Sequence, residues 1–195
     1  MNADTLNEQD LVKRARSGDE RAFEQLMEAH ESRMYAVSLR MCGNREDAQD
    51  CLQEAMLRIY KAMSSFKSQS SFATWAYRIT MNTCLDELRR RKVRTSASLD
   101  AMLETGWAPS DETDTPEHHA LRSEQRRALE KAITDLPDDM RAAIVLRDVQ
   151  GFSYEDIARI LETNAGTIKS RISRGREKLR DYLTAQPELF GRRPV

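Results

Sequence analysis

Apolar side chains in the first half of this chain recur at spacings of three, four and seven, the signature of amphipathic helices. Phe23, Met27, His30, Met34 and Met41 form one such stripe and predict a helix from about Asp19 to Met41. His30 lies on the stripe, so a packed, neutral histidine is expected there. Gly43 suits a C-terminal cap and Asn44 an N-cap, with Asp47 three residues on favouring the positive end of a new helix. The buried side of that helix reads Ala48, Cys51, Leu52, Ala55, Ile59 and Met63, while Asp47, Asp50, Glu54, Arg58 and Lys61 make a continuous polar stripe. Ser64 to Ser71 reads as a polar loop carrying Phe66 and Lys67, and Phe72 opens a helix to about Arg91. There Phe72, Trp75 and Ile79 share one side and Tyr77, Met81 and Leu88 another, which leaves Arg78, Asn82 and Arg89 as a polar strip.

The second half repeats the logic with shorter elements. A helix is expected from Pro116 to about Thr134, and Pro137 suits the first position of the next, whose core contacts would be Met140, Ile144 and Val149. Gly151 stops it. Ser153 can cap a short helix with Asp156 at its third position and Ile157, Ala158 and Leu161 facing inward. Glu162 to Ala165 then form a tight turn before a last helix whose inner face is Ile168, Ile172, Gly175 and Leu179. Gly175 weakens a helix, so its place on the inner face predicts close approach of a neighbouring helix.

Between the halves, Thr95 to Ala120 holds no Lys or Arg but six acidic residues, with Pro109 and Pro116. Such a segment buries too little apolar surface to offset its ordering entropy, so an extended or disordered linker over 95–120 is expected. The chain thus reads as all-α: two small helical domains, 10–94 and 121–183, joined by a flexible acidic linker. Only 7 Gly and 5 Pro among 195 residues suit this architecture.

Charge changes the picture through its distribution. The net charge is −1, yet residues 165–180 carry six basic groups against Glu177 alone, and 86–94 carry Arg89, Arg90, Arg91, Lys92 and Arg94 against Asp86 and Glu87. No run of 18 apolar residues occurs, and Met1 to Asp10 is polar and acidic, so a cytoplasmic protein without membrane insertion or signal peptide is expected. Cys42, Cys51 and Cys84 show no paired spacing and read as small buried apolar groups. His118 and His119 lack cysteine partners nearby and are weak zinc ligands; neither a metal nor a cofactor is expected.

Two helices joined by a tight turn, the second basic on its outer face, form a helix-turn-helix. Thr167, Lys169, Ser170, Arg171, Ser173 and Arg174 would project from the part of the second helix that enters a major groove, where Arg and Lys can donate to guanine edges. A recombinase or nuclease with such a tail would need a nucleophile or clustered carboxylates beside a cleft, whereas Asp47, Asp50 and Glu54 sit at the surface spacing of one helix beside Arg58 and Lys61. A self-sufficient activator or repressor remains a second alternative, separable because it would bind duplex promoters tightly by itself.

The stretch Leu136-Pro137, then Gly151-Phe-Ser-Tyr-Glu-Asp-Ile-Ala158, then Gly166-Thr-Ile-Lys-Ser-Arg-Ile-Ser-Arg-Gly-Arg-Glu-Lys-Leu179 resembles the C-terminal domain of bacterial sigma factors of the extracytoplasmic-function type. Asp47-Ala-Gln-Asp-Cys-Leu-Gln-Glu54 and Phe72-Ala-Thr-Trp-Ala-Tyr-Arg-Ile79, with Asn82, Asp86 and Arg89 to Lys92, resemble that family's N-terminal domain in the expected order. The resemblance implies a non-enzymatic protein whose partners are core RNA polymerase and promoter DNA, and it admits an anti-sigma factor. It assigns Asp47, Asp50, Gln53 and Glu54 to docking on the polymerase clamp. Phe66, Lys67, Ser70 and Ser71 would capture a flipped base of the minus-ten element, with Arg78, Asn82, Arg89 and Arg90 over its upstream duplex. Thr167, Lys169, Ser170, Arg171, Arg174 and Lys178 would read the minus-thirty-five element. Stacking on an unpaired base must offset the lost duplex stacking, for which Trp75 and Tyr77 are the available rings, Trp75 being equally a core residue on the face of Phe72 and Ile79.

Overall fold

The computed structural model describes residues 3–97 and 116–191, with side chains over 8–94 and 122–191. All regular elements among these residues are helical. The first domain comprises α1 (Ala3–Arg16), α2 (Glu20–Cys42), α3 (Arg45–Ala62), a 3₁₀ turn (Met63–Ser65) and α4 (Phe72–Ala97). Its boundaries are set by side-chain caps. Asp19 accepts from the Ala22 N–H at 3.1 Å and Asn44 from the Asp47 N–H at 2.9 Å, while Ser71 Oγ accepts from the Thr74 N–H at 3.0 Å. Gly43, at φ 78°, closes α2 in the left-handed conformation and donates its N–H to the Leu39 carbonyl.

Leu26, Met34, Val37 and Met41 of α2 pack on Ala48, Ala55 and Ile59 of α3 and on Ala76, Tyr77 and Met81 of α4, all essentially without solvent contact. Alanines at the seams let the three helices approach closely. α1 lies outside the sequence expectation: Leu11, Val12 and Ala15 dock it on the bundle, and apolar residues so few and so grouped are too weak a stripe to mark a helix.

The second domain comprises α5 (Pro116–Thr134), α6 (Asp138–Ile144), a π-helical turn (Val145–Val149), α7 (Tyr154–Ile160), α8 (Ala165–Thr184) and a short α9 (Pro187–Phe190). Two details correct the sequence reading. Pro137 caps α6 from outside, at ψ 139°, rather than occupying its first helical position. Val149 is 40% exposed, because the wider π turn, closed by the Gln150 N–H on the Val145 carbonyl, rotates it off the inner face; Ala142 to Leu146 fill the core instead. Ile160 is fully buried, whereas Leu161 is only partly so.

The helix-turn-helix forms as expected. Ser153 caps α7 and Asn164 caps α8. A Cβ on Gly175 would stand 2.8 Å from Ile144 Cγ1, so only glycine permits this approach of α8 to α6.

The two domains pack together. Buried Arg141 of α6 donates to the Met41 carbonyl of α2 and the Leu136 carbonyl of its own domain, and Arg40 pairs with Glu130 at 2.9 Å. The Tyr77 ring meets Phe152 edge-on at 4.9 Å. Helices α4 and α5 take residues 95–97 and 116–120 from the expected linker; residues 98–115, like the side chains of His118 and His119, lie outside the described residues.

Candidate nucleic-acid interface

The N-terminal half of α8 is fixed before any ligand arrives. Asn164 Oδ1 accepts from the Thr167 N–H at 2.8 Å, and the Ser170 hydroxyl donates to the Thr167 carbonyl at 2.8 Å. At 100° per residue, Thr167, Arg171, Arg174 and Lys178 fall on one side of the helix and Lys169 flanks the outward-facing Ser170 and Ser173 from the other. Ile168, Ile172 and Gly175 point into the core. Lys169, Arg174 and Lys178 are exposed, and none is within ion-pair distance of a carboxylate among the described residues. Arg171 is half-buried, with Nε 3.1 Å from Asp139. Arg176, which the sequence reading left without a role, is held by Asp148 at 3.0 Å.

The α4 strip differs in that its cations are already paired. Arg89 meets Asp86 at 2.8 Å, Arg90 meets Glu87 at 3.8 Å, and Arg94 also bonds Glu87. Lys92 reaches across to Asp138 of α6 at 2.6 Å, and Arg78 lies 3.9 Å from Glu162 in the turn before α8. Asn82 is half-buried between these ends. Helix α7 lies on the N-terminal part of α4, where Thr74 Oγ1 contacts Asp156 at 3.4 Å.

Beside that contact, the 66–71 loop and α4 line an open groove of about 430 Å³ with Lys67, Ser70, Trp75 and Arg78 on its walls. Phe66 is buried, its ring 4.8 Å from that of Trp75, so it forms the floor rather than a free surface. Ser71 works as the α4 cap and shares a 2.8 Å hydrogen bond with Thr74. Of the two aromatic rings proposed for stacking, Trp75 keeps an accessible edge; Tyr77 is buried beneath Phe152, which burial reflects by pushing its phenol up to about 12.

On α3, Asp50, Gln53 and Glu54 are exposed, and Glu54 bonds Arg58 at 2.7 Å. Asp47 stands apart from them: its carboxylate is tied to Asn44 and to Arg91, each at 2.9 Å. Leu57 is 45% exposed at the end of this acidic row. Sequence reasoning passed over it because it was counted in neither the buried set nor the polar stripe; at 100° per residue it stands opposite the buried side, and a leucine there was the available signal. Together α3 and α4 enclose a groove of about 530 Å³ bounded by Asp47, Asp50, Glu54, Leu57 and Glu87.

Comparison with known proteins places these elements. Residues 26–94 match Sigma-70 region 2 and residues 126–179 match Sigma-70, region 4. The chain is 36% identical over 176 residues to the RNA polymerase sigma-H factor of Pseudomonas aeruginosa, covering 88% of this chain and 91% of that protein. It is 37% identical over 182 residues to the ECF RNA polymerase sigma-E factor of Escherichia coli K12, covering 91% and 94%. Among solved structures, the sigma factor RpoE of Bartonella quintana, in complex with the anti-sigma factor NepR, superposes with a TM-score of 0.71 at 27% identity, covering 83% of this chain and 96% of that one. With both segments present in one chain and in this order, the protein belongs to the Sigma-70 family, among the sigma factors of the extracytoplasmic-function type.

Proposed function

We propose that this protein binds core RNA polymerase and directs it to a specific set of promoters, opening them through its first domain and anchoring on their upstream element through its second. The observation that carries this reading is the pairing of a Sigma-70 region 2 segment and a region 4 segment in one chain. It acts as a non-catalytic specificity subunit in the cytoplasm, at a regulon of the stress-response kind that its sigma-E relatives suggest.

In residue terms, residues 10–94 supply the polymerase and minus-ten contacts and residues 121–183 the minus-thirty-five contacts. Asp50, Gln53 and Glu54, extended by Leu57, offer an acidic, partly apolar strip to the clamp, with Asp47 positioning its start. The groove walled by Lys67, Ser70 and Trp75 suits an unpaired base, and Arg78, Asn82, Arg89 and Arg90 suit the duplex above it. Thr167, Lys169, Ser170, Arg171 and Arg174 suit base edges and nearby phosphates, with Lys178 farther along the backbone.

Simultaneous contact with both elements would draw α7 off α4, since Thr74 contacts Asp156 of α7 and Arg78 meets Glu162 in the turn that follows α7. Residues 98–115, eighteen in number, reach about 60 Å when fully extended, enough to let the domains separate along a promoter. A protein inhibitor of the anti-sigma class would act by blocking either surface.

The test is run-off transcription with core enzyme from the native host. Promoter-specific transcripts that appear only when the protein is added support the reading; tight, specific duplex binding without core enzyme would instead favour a self-sufficient regulator. Charge reversal at Asp50 and Glu54 should lower core affinity while helicity stays intact, and unchanged affinity would remove the docking assignment.

A further inference from the structure

All three cysteines of the chain, nine and thirty-three positions apart in sequence, converge on one point. Cys42 is the last residue of α2, Cys51 lies in the second turn of α3, and Cys84 sits midway along α4. Their sulfur atoms all lie within 4.8 Å of one another, with Cys42 and Cys51 at 3.6 Å. Each residue is at most 4% exposed. Had these been three unrelated apolar fillers, nothing would require them to meet. A tetrahedral zinc–thiolate centre with bonds of about 2.3 Å has sulfur–sulfur edges of about 3.8 Å, within the span seen here.

Two further features suit an ion. The groove between α3 and α4 has Cys51 in its wall, and there four carboxylates, Asp47, Asp50, Glu54 and Glu87, outnumber Arg90 and Arg94, so the balance of charge favours a cation where the first thiol is reached. A divalent ion on three thiolates carries one net negative charge, and Arg91 lies beside it, donating to the Cys42 carbonyl at 2.9 Å, with Arg141 on the adjacent Met41 carbonyl.

We propose that Cys42, Cys51 and Cys84 form a three-thiolate site for a soft divalent cation of the zinc and cadmium class, entered through the acidic groove. Three S–H bonds break, three metal–sulfur bonds form, and three protons leave to solvent; no electron is transferred. The ion would pin the end of α2, α3 and α4 to one another and so stiffen the first domain. None of this depends on the promoter-directing role, because the site is defined by sulfur positions and tested without polymerase or DNA.

The experiment titrates the reduced, full-length protein with Cd²⁺ and follows the ultraviolet thiolate-to-cadmium charge-transfer band. The band should rise linearly and saturate at one equivalent, Zn²⁺ should suppress it, and X-ray absorption should find three sulfurs in the first shell. Cys51→Ala and Cys84→Ala should each abolish the one-equivalent step while circular dichroism keeps its helical signal. Absence of the band, a shell of oxygen and nitrogen only, or an unchanged band in either variant would each overturn the site. The wild-type spectra decide the matter even if the variants fail to fold.

Discussion

The two basic helices, α8 and α4, handle positive charge in opposite ways. On α8, Lys169, Arg174 and Lys178 are exposed with no carboxylate in reach among the described residues, on a helix anchored by Asn164 and by Gly175 against Ile144. On α4, every charged group from Arg89 to Arg94 is paired with a carboxylate, two of them through Glu87 and one across the domain boundary with Asp138. An unpaired cation gains the whole of its phosphate contact, whereas a paired one gains only the difference between two partners. α8 is therefore ready to bind, and α4 must exchange partners first. That suits the proposed division of labour, in which the second domain grips duplex DNA and the first acts only when the promoter is opened.

The largest way to break the comparison is to dissolve the rigid side of it. Ile157 is completely buried between α7 and α8, and Ile157→Ala should cost about 2 to 5 kcal/mol of second-domain stability. Upstream-element binding should fall with it while the first domain keeps its own unfolding transition. Two resolved transitions in urea, monitored by Trp75 fluorescence and by circular dichroism, would show this; a single joint loss would mean that the domain interface, not the core, sets cooperativity.

Next in size is base reading on α8. Arg174→Ala should cost about 1 to 3 kcal/mol on the preferred promoter and relax preference at one position. Arg171→Ala should cost less, because Asp139 already holds that guanidinium. Lys178→Ala should weaken all sequences alike and reduce the salt dependence by about one unit of slope. Holoenzyme binding to single-base promoter variants at several salt concentrations separates the three. If Arg171 proves the stronger determinant, the Asp139 pair is broken in the complex.

Most of the second domain was legible in sequence because its signals are local. Ser153 and Gly151 act within a few residues of themselves and do in space what their positions indicated, and Gly175 makes the close approach to a neighbouring helix that its place on the inner face predicted. What stayed hidden depends on long-range placement. The outward turn of Val149 follows from a π turn that no side chain announces, and the burial of Phe66 and Tyr77 follows from neighbours on other elements. Cys42, Cys51 and Cys84 looked unrelated because their meeting requires three helices to be packed first. The same reason kept the ion pairs of α4 out of sight, since Asp47 and Asp138 lie far away in sequence.

A smaller effect should sharpen the contrast from the other side. Glu87 restrains both Arg90 and Arg94, so Glu87→Gln should release two cations toward DNA. The gain is of the order of an exposed ion pair, up to about 1 kcal/mol or roughly fivefold in affinity at low salt. Anisotropy of a labelled upstream-fork promoter fragment with holoenzyme reads it. No gain, with α8 variants still behaving as above, would mean that these arginines find no phosphate.

The smallest expected effect lies away from both helices, in the bundle that carries α4. His30 is buried beside the Phe72 ring at 5.3 Å, its Nε2 has no hydrogen-bond partner, and Glu8 lies 3.8 Å away while Arg33 opposes protonation. Burial, the dominant cause, lowers its pKa from 6.5 despite Glu8. The unfolded chain therefore takes up a proton that the folded one resists. Stability is at its full value above about pH 6.5 and is lost as pH falls from there through the lowered folded pKa. Asp19, whose pKa is lowered from 3.8 first by the Ala22 N–H and then by Arg14, contributes only at more acid pH, outside this window. The urea midpoint of the first domain should thus drop between about pH 7.5 and 5.5, and His30→Leu, which keeps the apolar contact with Phe72, should flatten that drop. An equal drop in both proteins would mean that the histidine titrates alike in the folded and unfolded chain, and a smaller drop in the wild type would mean that Glu8 outweighs burial.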